Sequence, residues 1–489
     1  MQHNDAKRTP ALIVAIASYG TKNTEYLYRL IDEYRSMRRY NVDIVVLSNI
    51  PRDLGPGVEV IVGLPTKDPW SLPFGHKEIF AQRLPLYDLF IYSEDDTLIS
   101  ERNIEAFLDV SKILPDQYIA GFLRYEVSPE GKKYYSTIHG HYHWDPHSVL
   151  RIADNVFAHY TNEHSASFIL TQNQLKGAIE SGGFLLPPRT GRYDMLVTAA
   201  TDPYTQCGMK KVICVSRLEE FCLHHLPNVY CGKIGLDAQT AEREIDKLKT
   251  LCTTTEPRGP LFETTTLLED ARWDKLYYEP IRKDILSLIP QDVGRVLSVG
   301  CACGSTEAEL IKRGIDVMGI PLDCVIQQTA VAKGIRTLPP HFDVAKEALR
   351  GESFDCILFP HVLQHLPDPV AVLNDFLEFL RMTGSILISI PNFNHVSRLR
   401  TKKFHMPQFS EAFNGRHFES HRLHFTNQRM LQHWLNECGL QVARSCTQLE
   451  AQYEWINRAT HGMLSGILSR NIVVLSRRAE GKSREEATD

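Results

Sequence analysis

The sequence predicts an α/β chain made of two doubly wound domains in series, and three observations predict it. Apolar strand-like runs alternate with amphipathic helical patterns from Ala11 to about residue 235. The same alternation restarts near Gly294. Between them lies "LDAQTAEREIDKLKTLCTTTEPRGPLFETTT", which is polar, Thr-rich and broken by "PRGP". Strands alternating with helices imply mostly parallel sheets, and 489 residues exceed one ordinary domain. The predicted boundaries are a first domain over 1–237, a helical polar linker over 238–283, a second domain over 284–478 and a polar tail over 479–489.

"ALIVAIASYG" reads as a buried strand ending in a loop. "NTEYLYRLIDEYRSM" places Tyr26, Leu27, Leu30, Ile31 and Tyr34 at helical spacing. "VDIVVLSN", "VEVIVGL" and "LFIYSEDD" read as further strands. In such sheets ligands lie beyond the carboxyl ends of the strands, where "SYG", "LSN" and "SEDD" fall. In the second half, "RVLSVGCACGSTEAELIKRGIDVMGI" reads as strand, Gly-containing turn, helix and strand, and "FDCILFPHVLQHL" and "GSILISIPN" supply more strands.

Composition sets the bounds. With 43% hydrophobic and 23% charged residues, the chain can form real cores. A net charge of -5 provides no global basic field for nucleic acid or an anionic membrane. The start, "MQHNDAKRTP", lacks the apolar core of a signal peptide. No run reaches the ~18 apolar residues of a spanning helix, which leaves peripheral association as the open form of membrane contact. The eleven cysteines are scattered, with "CAC" at Cys301 and Cys303 the only close pair. Free thiols in a reducing cytoplasm are the expectation.

The acidic turn demands explanation, because Glu94, Asp95 and Asp96 follow directly on the apolar run "YDLFIY". Adjacent carboxylates raise one another's pKa. A divalent cation held together with substrate phosphates answers this economically, and a solvated loop or helix start is the plainer alternative. The first 235 or so residues resemble a GT-A-type glycosyltransferase, with "SEDD" as the Asp-x-Asp-like motif. The resemblance implies a nucleotide-sugar donor with Mn²⁺ or Mg²⁺ bridging its diphosphate. Asp96 is then the leading metal ligand, with Asp95 and Glu94 on the ribose and sugar side, although the three are interchangeable on sequence grounds. Tyr19 in "ASYG" is a stacking partner for the base, or part of a structural turn. Ser48 and Asn49 are further nucleotide contacts. In related enzymes a His late in the domain completes the metal shell, which implies His224 or His225 of "LHHLPN". An inverting transferase also needs a base for the acceptor hydroxyl; Asp194 and Asp202 are the candidates and Glu126 a third, and a retaining enzyme would need none. "HGHYHWDPH" invites a zinc reading, but without a nearby Cys it reads better as an acceptor loop.

The second half resembles the class I S-adenosylmethionine methyltransferases. "VLSVGCACGSTE" matches their first motif, "FDCILFPHVLQHLPDPVAVLNDFLEFL" and "GSILISIPN" their fourth and fifth strands, and "HRLHFTNQRMLQHWLNECGLQV" an H-x-R-x-F-T segment. The resemblance implies S-adenosylmethionine over Gly300 and Gly304, with His361 at the site. It departs from the family pattern at Ser298 and Pro321, where acids are usual, and at Ala302. Asp323 is the substitute for the acid that holds the ribose. His361, His365 and His421 are candidate bases.

Together these readings predict a cytoplasmic bifunctional enzyme. It transfers a sugar from a nucleotide donor to a saccharide or glycolipid acceptor, and methylates a saccharide or related acceptor. The alternatives are a glycosyltransferase with a degenerate methyltransferase-like module, and a non-catalytic carbohydrate- or nucleotide-binding scaffold.

Overall fold

In the computed structural model, which describes residues 8–135, 142–231, 235–268, 271–396, 415–447, 449, 451–461 and 463–479, the chain divides between Glu256 and Pro257 into two units.

In the first unit the run "ALIVAIAS" forms β1 (Ala11–Ser18), buried almost throughout, as suits a central parallel strand. Then come α1 (Thr24–Ser36), which buries Leu27, Leu30, Ile31 and Tyr34, β2 (Asn41–Ser48), β3 (Val58–Val62), α2 (Gly75–Arg83) and β4 (Leu89–Glu94). Past the acidic turn lie β5 (Thr97–Leu98), α3 (Glu101–Ser111), β6 (Tyr118–Ala120), β7 (Leu123–Val127), β8 (Lys133–Tyr135), β9 (Trp144–Ile152), β10 (Asn155–Tyr160) and β11 (Ser167–Thr171). The unit ends with α4 (Gln172–Glu180), α5 (Met195–Thr205), β12 (Lys210–Cys214), β13 (Cys222–His225), β14 (Leu236–Asp237) and α6 (Ala238–Leu251). The main sheet has the order β11-β4-β1-β2-β3. β4, β1, β2 and β3 are parallel and β11 is antiparallel to β4. Two further sheets have the orders β6-β12-β10-β9 and β14-β8-β7-β13-β5.

The second unit contains α7 (Lys283–Leu288), β15 (Arg295–Cys301), α8 (Ser305–Lys312), β16 (Asp316–Pro321), α9 (Ile326–Ala332), β17 (Arg336–Thr337), α10 (Phe342–Ala348), β18 (Phe354–Pro360), α11 (Pro369–Leu377), β19 (Leu380–Pro391), β20 (Leu440–Cys446) and β21 (Asn471–Arg478). Its seven-stranded sheet has the order β17-β16-β15-β18-β19-β21-β20. The first five are parallel and β21 runs antiparallel to both neighbours. Alternate residues supply two cores, one on each face: Leu297, Val299, Ile357 and Phe359 on one, Val296, Cys301, Cys356 and Leu358 on the other.

The predicted linker over 238–283 is corrected. α6 buries Ala241, Ile245, Leu248 and Leu251 and packs on β8, β9 and β14 of the first unit. Beyond Pro257 the chain already belongs to the second unit, with Leu261, Phe262 and Tyr277 in its core. Apart from Ala479, the predicted tail lies outside the described residues.

Candidate functional site

The first candidate site is the acidic turn at the carboxyl edge of β1 and β4. β4 ends at Glu94 and β5 begins at Thr97, which leaves Asp95 and Asp96 to make the turn. Backbone bonds fix it: Glu94 N donates to Ala166 O at 2.9 Å and Asp95 N to Ala17 O at 3.1 Å. Asp95 accepts from Ser18 Oγ at 2.6 Å and from Asn23 Nδ2 at 2.8 Å. Asn23 occupies the N-cap of α1, yet its side chain caps nothing; it reaches the two aspartates, at 3.4 Å in the case of Asp96. β5 pairs antiparallel with β13, setting His225 opposite Thr97. His225 Nε2 therefore lies 3.4 Å from Asp96 Oδ2, while its Nδ1 contacts Glu126 Oε1 at 2.5 Å. Glu126 also accepts from Tyr230 N at 2.9 Å.

The three carboxylates diverge in acidity. Burial pushes Glu94 up to about 8, reinforced by the negative charge of Asp96 and opposed by Arg124. Burial also raises Asp95, to about 6, against the bonds from Ser18 and Asn23. Burial acts upward on Asp96 too, but the bond and charge of His225, then Arg124 and Thr97, outweigh it and hold the group below its usual value. A neutral carboxyl beside an ionised one is an arrangement suited to separate donor and acceptor roles.

Other expected residues fall in different places. His224 stacks on Tyr125 at 5.0 Å and contacts Asn228 at 3.1 Å, on the other face of β13, so it does not join His225 at Asp96. Asp202 is fully buried and is gripped by Lys77 and by both Arg189 Nη atoms, at 2.6 and 3.2 Å. This ion triad occupies both its oxygens and removes it as the acceptor base. Glu126 is likewise committed to His225. Asp194 caps α5, accepting from Val197 N at 3.0 Å, and its charge reaches Glu94. Tyr19 is exposed. The Ser48 hydroxyl is engaged by Ile50, and Asn49 Oδ1 ties the loop after β2 to Gly20 N at 2.7 Å; both side chains hold loops in place. In the expected acceptor loop, His139 and His141 lie outside the described residues. Among the described residues no three His, Cys, Asp or Glu side chains form a cation cage. Asp96 and His225 supply a pair, with Glu126 behind the histidine where an orienting partner belongs.

The second candidate site lies at the carboxyl edge of the second sheet. The strand order reverses between β15 and β18, the position at which such sheets bind ligands. Gly300 sits at φ 74° in a bulge of β15, where a Cβ would come 2.6 Å from Val362 and 3.4 Å from Phe262. Gly304 sits at φ 72° at the start of α8, where a Cβ would come 2.2 Å from Ile335. Only glycine meets both demands. Ser298 Oγ donates to Glu307 Oε1 at 2.7 Å, so α8 returns a carboxylate to the place where the strand lacks one. Lys275, fully buried, bonds Glu279 at 2.5 Å and Pro360 O at 2.7 Å. Arg282 is paired with Asp284 and lies 3.3 Å from His361 Nε2. His361 follows β18 at φ 51°, a strained conformation for a histidine. Burial, then the charges of Arg282 and Lys275, hold it well below the usual imidazole range. His365 is buried and stacks on Phe262, and His421 stacks on Phe425.

Asp323, the expected substitute for the ribose acid, follows β16. It is buried, and its Oδ1 accepts from Val325 N and Ile326 N at 2.7 and 2.8 Å, which makes it the cap of the turn entering α9. The capping uses Oδ1 alone, and Oδ2 is buried beyond the end of β16.

Residues 281–469 match the family model described as methionine biosynthesis protein MetW. The C-terminal region is similar to S-adenosylmethionine-dependent methyltransferases. The ubiquinone biosynthesis O-methyltransferase of Leptothrix cholodnii is 28% identical over 125 residues, which are 23% of this chain and 53% of that protein. Its counterpart in Xylella fastidiosa is 30% identical over 119 residues, 23% of this chain and 48% of that protein. The chain thus spans about half the length of these curated relatives. An S-adenosylmethionine-dependent methyltransferase structure from Mesorhizobium loti aligns with 13% identity and a TM-score of 0.30, over 40% of this chain and 95% of that one. Among the described residues no helix is long and apolar enough to cross a membrane.

Sequence reasoning missed Ser18, Asn23 and Arg124 in the first site, and Lys275, Arg282 and Glu307 in the second. Glu307 had a readable signal: an acid in the first turn of a helix that follows a strand lacking its own.

Proposed function

We propose that the chain is a bifunctional saccharide-modifying enzyme. The second unit transfers a methyl group from S-adenosylmethionine to a saccharide or related acceptor. The similarity of its C-terminal region to methyltransferases supports this, and the observation that carries it is the left-handed Gly300–Gly304 turn at the strand-order reversal. The turn offers backbone to the ligand, and Glu307 offers a carboxylate to its ammonium. His361, neutral and beside the turn, accepts hydrogen bonds at the end of β18. Pro321 leaves the ribose without its usual acid; a charge-assisted bond is worth about 1.5–3 kcal/mol, so binding is weaker by about ten- to a hundredfold.

The first unit transfers a sugar from a nucleotide donor, in the manner of GT-A enzymes. The reading rests on the Asp96–His225 pair with Glu126 behind it. Asp96 and His225 would hold Mn²⁺ or Mg²⁺, which when bound neutralises charge on a departing diphosphate. Glu94, whose Oε1 is buried without a hydrogen-bond partner among the described residues, bonds a donor hydroxyl. Asp194 takes the acceptor's proton if the enzyme inverts configuration. The enzyme acts on a saccharide or glycolipid in the cytoplasm.

Calorimetry with the full chain tests the methyl-transfer half. S-adenosylmethionine should bind measurably, and Pro321→Asp should tighten it. No binding at millimolar ligand would leave the second reading, a glycosyltransferase with a degenerate module, which the missing acid at Pro321 favours. For the other half, nucleotide-sugar turnover should require Mn²⁺ or Mg²⁺, and Asp96→Asn should reduce it by orders of magnitude with folding intact. Unchanged turnover in Asp96→Asn would remove the acidic turn from the reaction.

A further inference from the structure

Arg52 lies in the loop after β2, beyond the carboxyl end of that strand. Its Nε, Nη1 and Nη2 are all buried, and none has a hydrogen-bond partner among the described residues. A guanidinium carries five N–H donors and stays charged in proteins. Buried polar groups are nearly always satisfied, and a buried cation without acceptors is costly. Arg52 is also close enough to Asp95 for the two charges to interact. Asp95 nevertheless gives its oxygens to Ser18 and Asn23. On the same turn, Glu94 Oε1 is a second buried polar atom with no partner among the described residues. One edge of the sheet therefore holds a forked donor and a carboxyl oxygen, both lacking hydrogen-bond partners among the described residues.

The fork geometry of a guanidinium matches planar or tetrahedral groups that offer two acceptor oxygens. We propose that Arg52 binds the nucleoside-diphosphate portion of the ligand at the carboxyl edge of the first sheet, through either a phosphate or the carbonyl edge of the base. This rests on the donor reading above and adds to it the residue that grips the nucleotide.

The test is calorimetry on the full-length protein with UDP and GDP, each with and without Mn²⁺, alongside pyrophosphate, uridine and guanosine. Arg52→Met keeps the aliphatic stem and removes the charge. It should weaken diphosphate binding by about ten- to a hundredfold, the loss expected for charge-assisted hydrogen bonds. It should also leave the melting temperature of the unliganded protein unchanged or raised, because it removes an unsatisfied buried cation. A purely structural arginine would do the reverse, lowering the melting temperature while sparing binding. Pyrophosphate binding lost in the variant identifies the phosphate as the partner; nucleoside binding lost in the variant identifies the base. UDP or GDP binding that is equal in wild type and Arg52→Met overturns the inference and leaves the donor reading standing. Arg52-dependent binding of pyrophosphate alone sustains the anion site and overturns the donor reading. Failure of every probe to bind the wild type overturns both.

Discussion

Lys77, Arg189 and Asp202 show how an acidic residue in the expected stretch can serve the fold instead of the reaction. Asp202 neutralises the buried Lys77 and the part-buried Arg189, and burial alone would drive Lys77 toward its neutral form. Asp202→Asn would strand both, and breaking a buried pair typically costs about 3–5 kcal/mol. The expected outcome is a large drop in the denaturation midpoint of the first unit. Normal stability with a selective loss of turnover would return Asp202 to the reaction. The acidic triplet was legible in the sequence because three carboxylates follow an apolar run without a break. Arg52 and Asn23 were not, because each is a single polar residue with no periodicity around it. Asn23 matters only because the fold brings it to Asp95 and Asp96, far along the chain. Adjacent histidines were legible as a pair, but choosing between them needed the register of β13 against β5, which sets His225 and not His224 toward Asp96.

At the scale of elements, the long strands and helices were readable from hydrophobic period, and both main sheets are built from them. β5 and β14, with two residues each, are too short to carry a pattern, yet β5 positions the first site. The segment after Pro257 was misread because Leu261, Phe262 and Tyr277 are isolated apolar residues in a polar stretch. The turn at the start of α8 gives a sharp prediction. Gly304 and Gly351 have similar φ, 72° and 81°, but only Gly304 is crowded, by Ile335 and Ala330. Gly351→Ala should cost about 1 kcal/mol for the left-handed backbone alone. Gly304→Ala should cost about 1–3 kcal/mol more, because the new methyl overpacks its surroundings. Chemical denaturation of the two variants measures the difference; equal costs would mean that Ile335 moves aside freely.

For the whole molecule, the division at Glu256 and Pro257 predicts where the chain can be cut. Fragments 8–256 and 257–479 should each unfold cooperatively, since each contains its own sheets and cores. A fragment beginning at residue 284, the predicted domain start, lacks Leu261, Phe262 and Tyr277 from the core. It should be markedly less stable than 257–479, and equal melting temperatures would show that these side chains contribute little. The same segment bears on how the protein is made. Leu261 N bonds Leu322 O, and Phe262 stacks on His365. Both partners leave the ribosome long after the segment does. Contacts between distant parts of a chain slow folding, and parallel sheets are assembled late. During synthesis the leading edge of the second unit is therefore an apolar strip waiting for its partners, a segment that chaperones would protect.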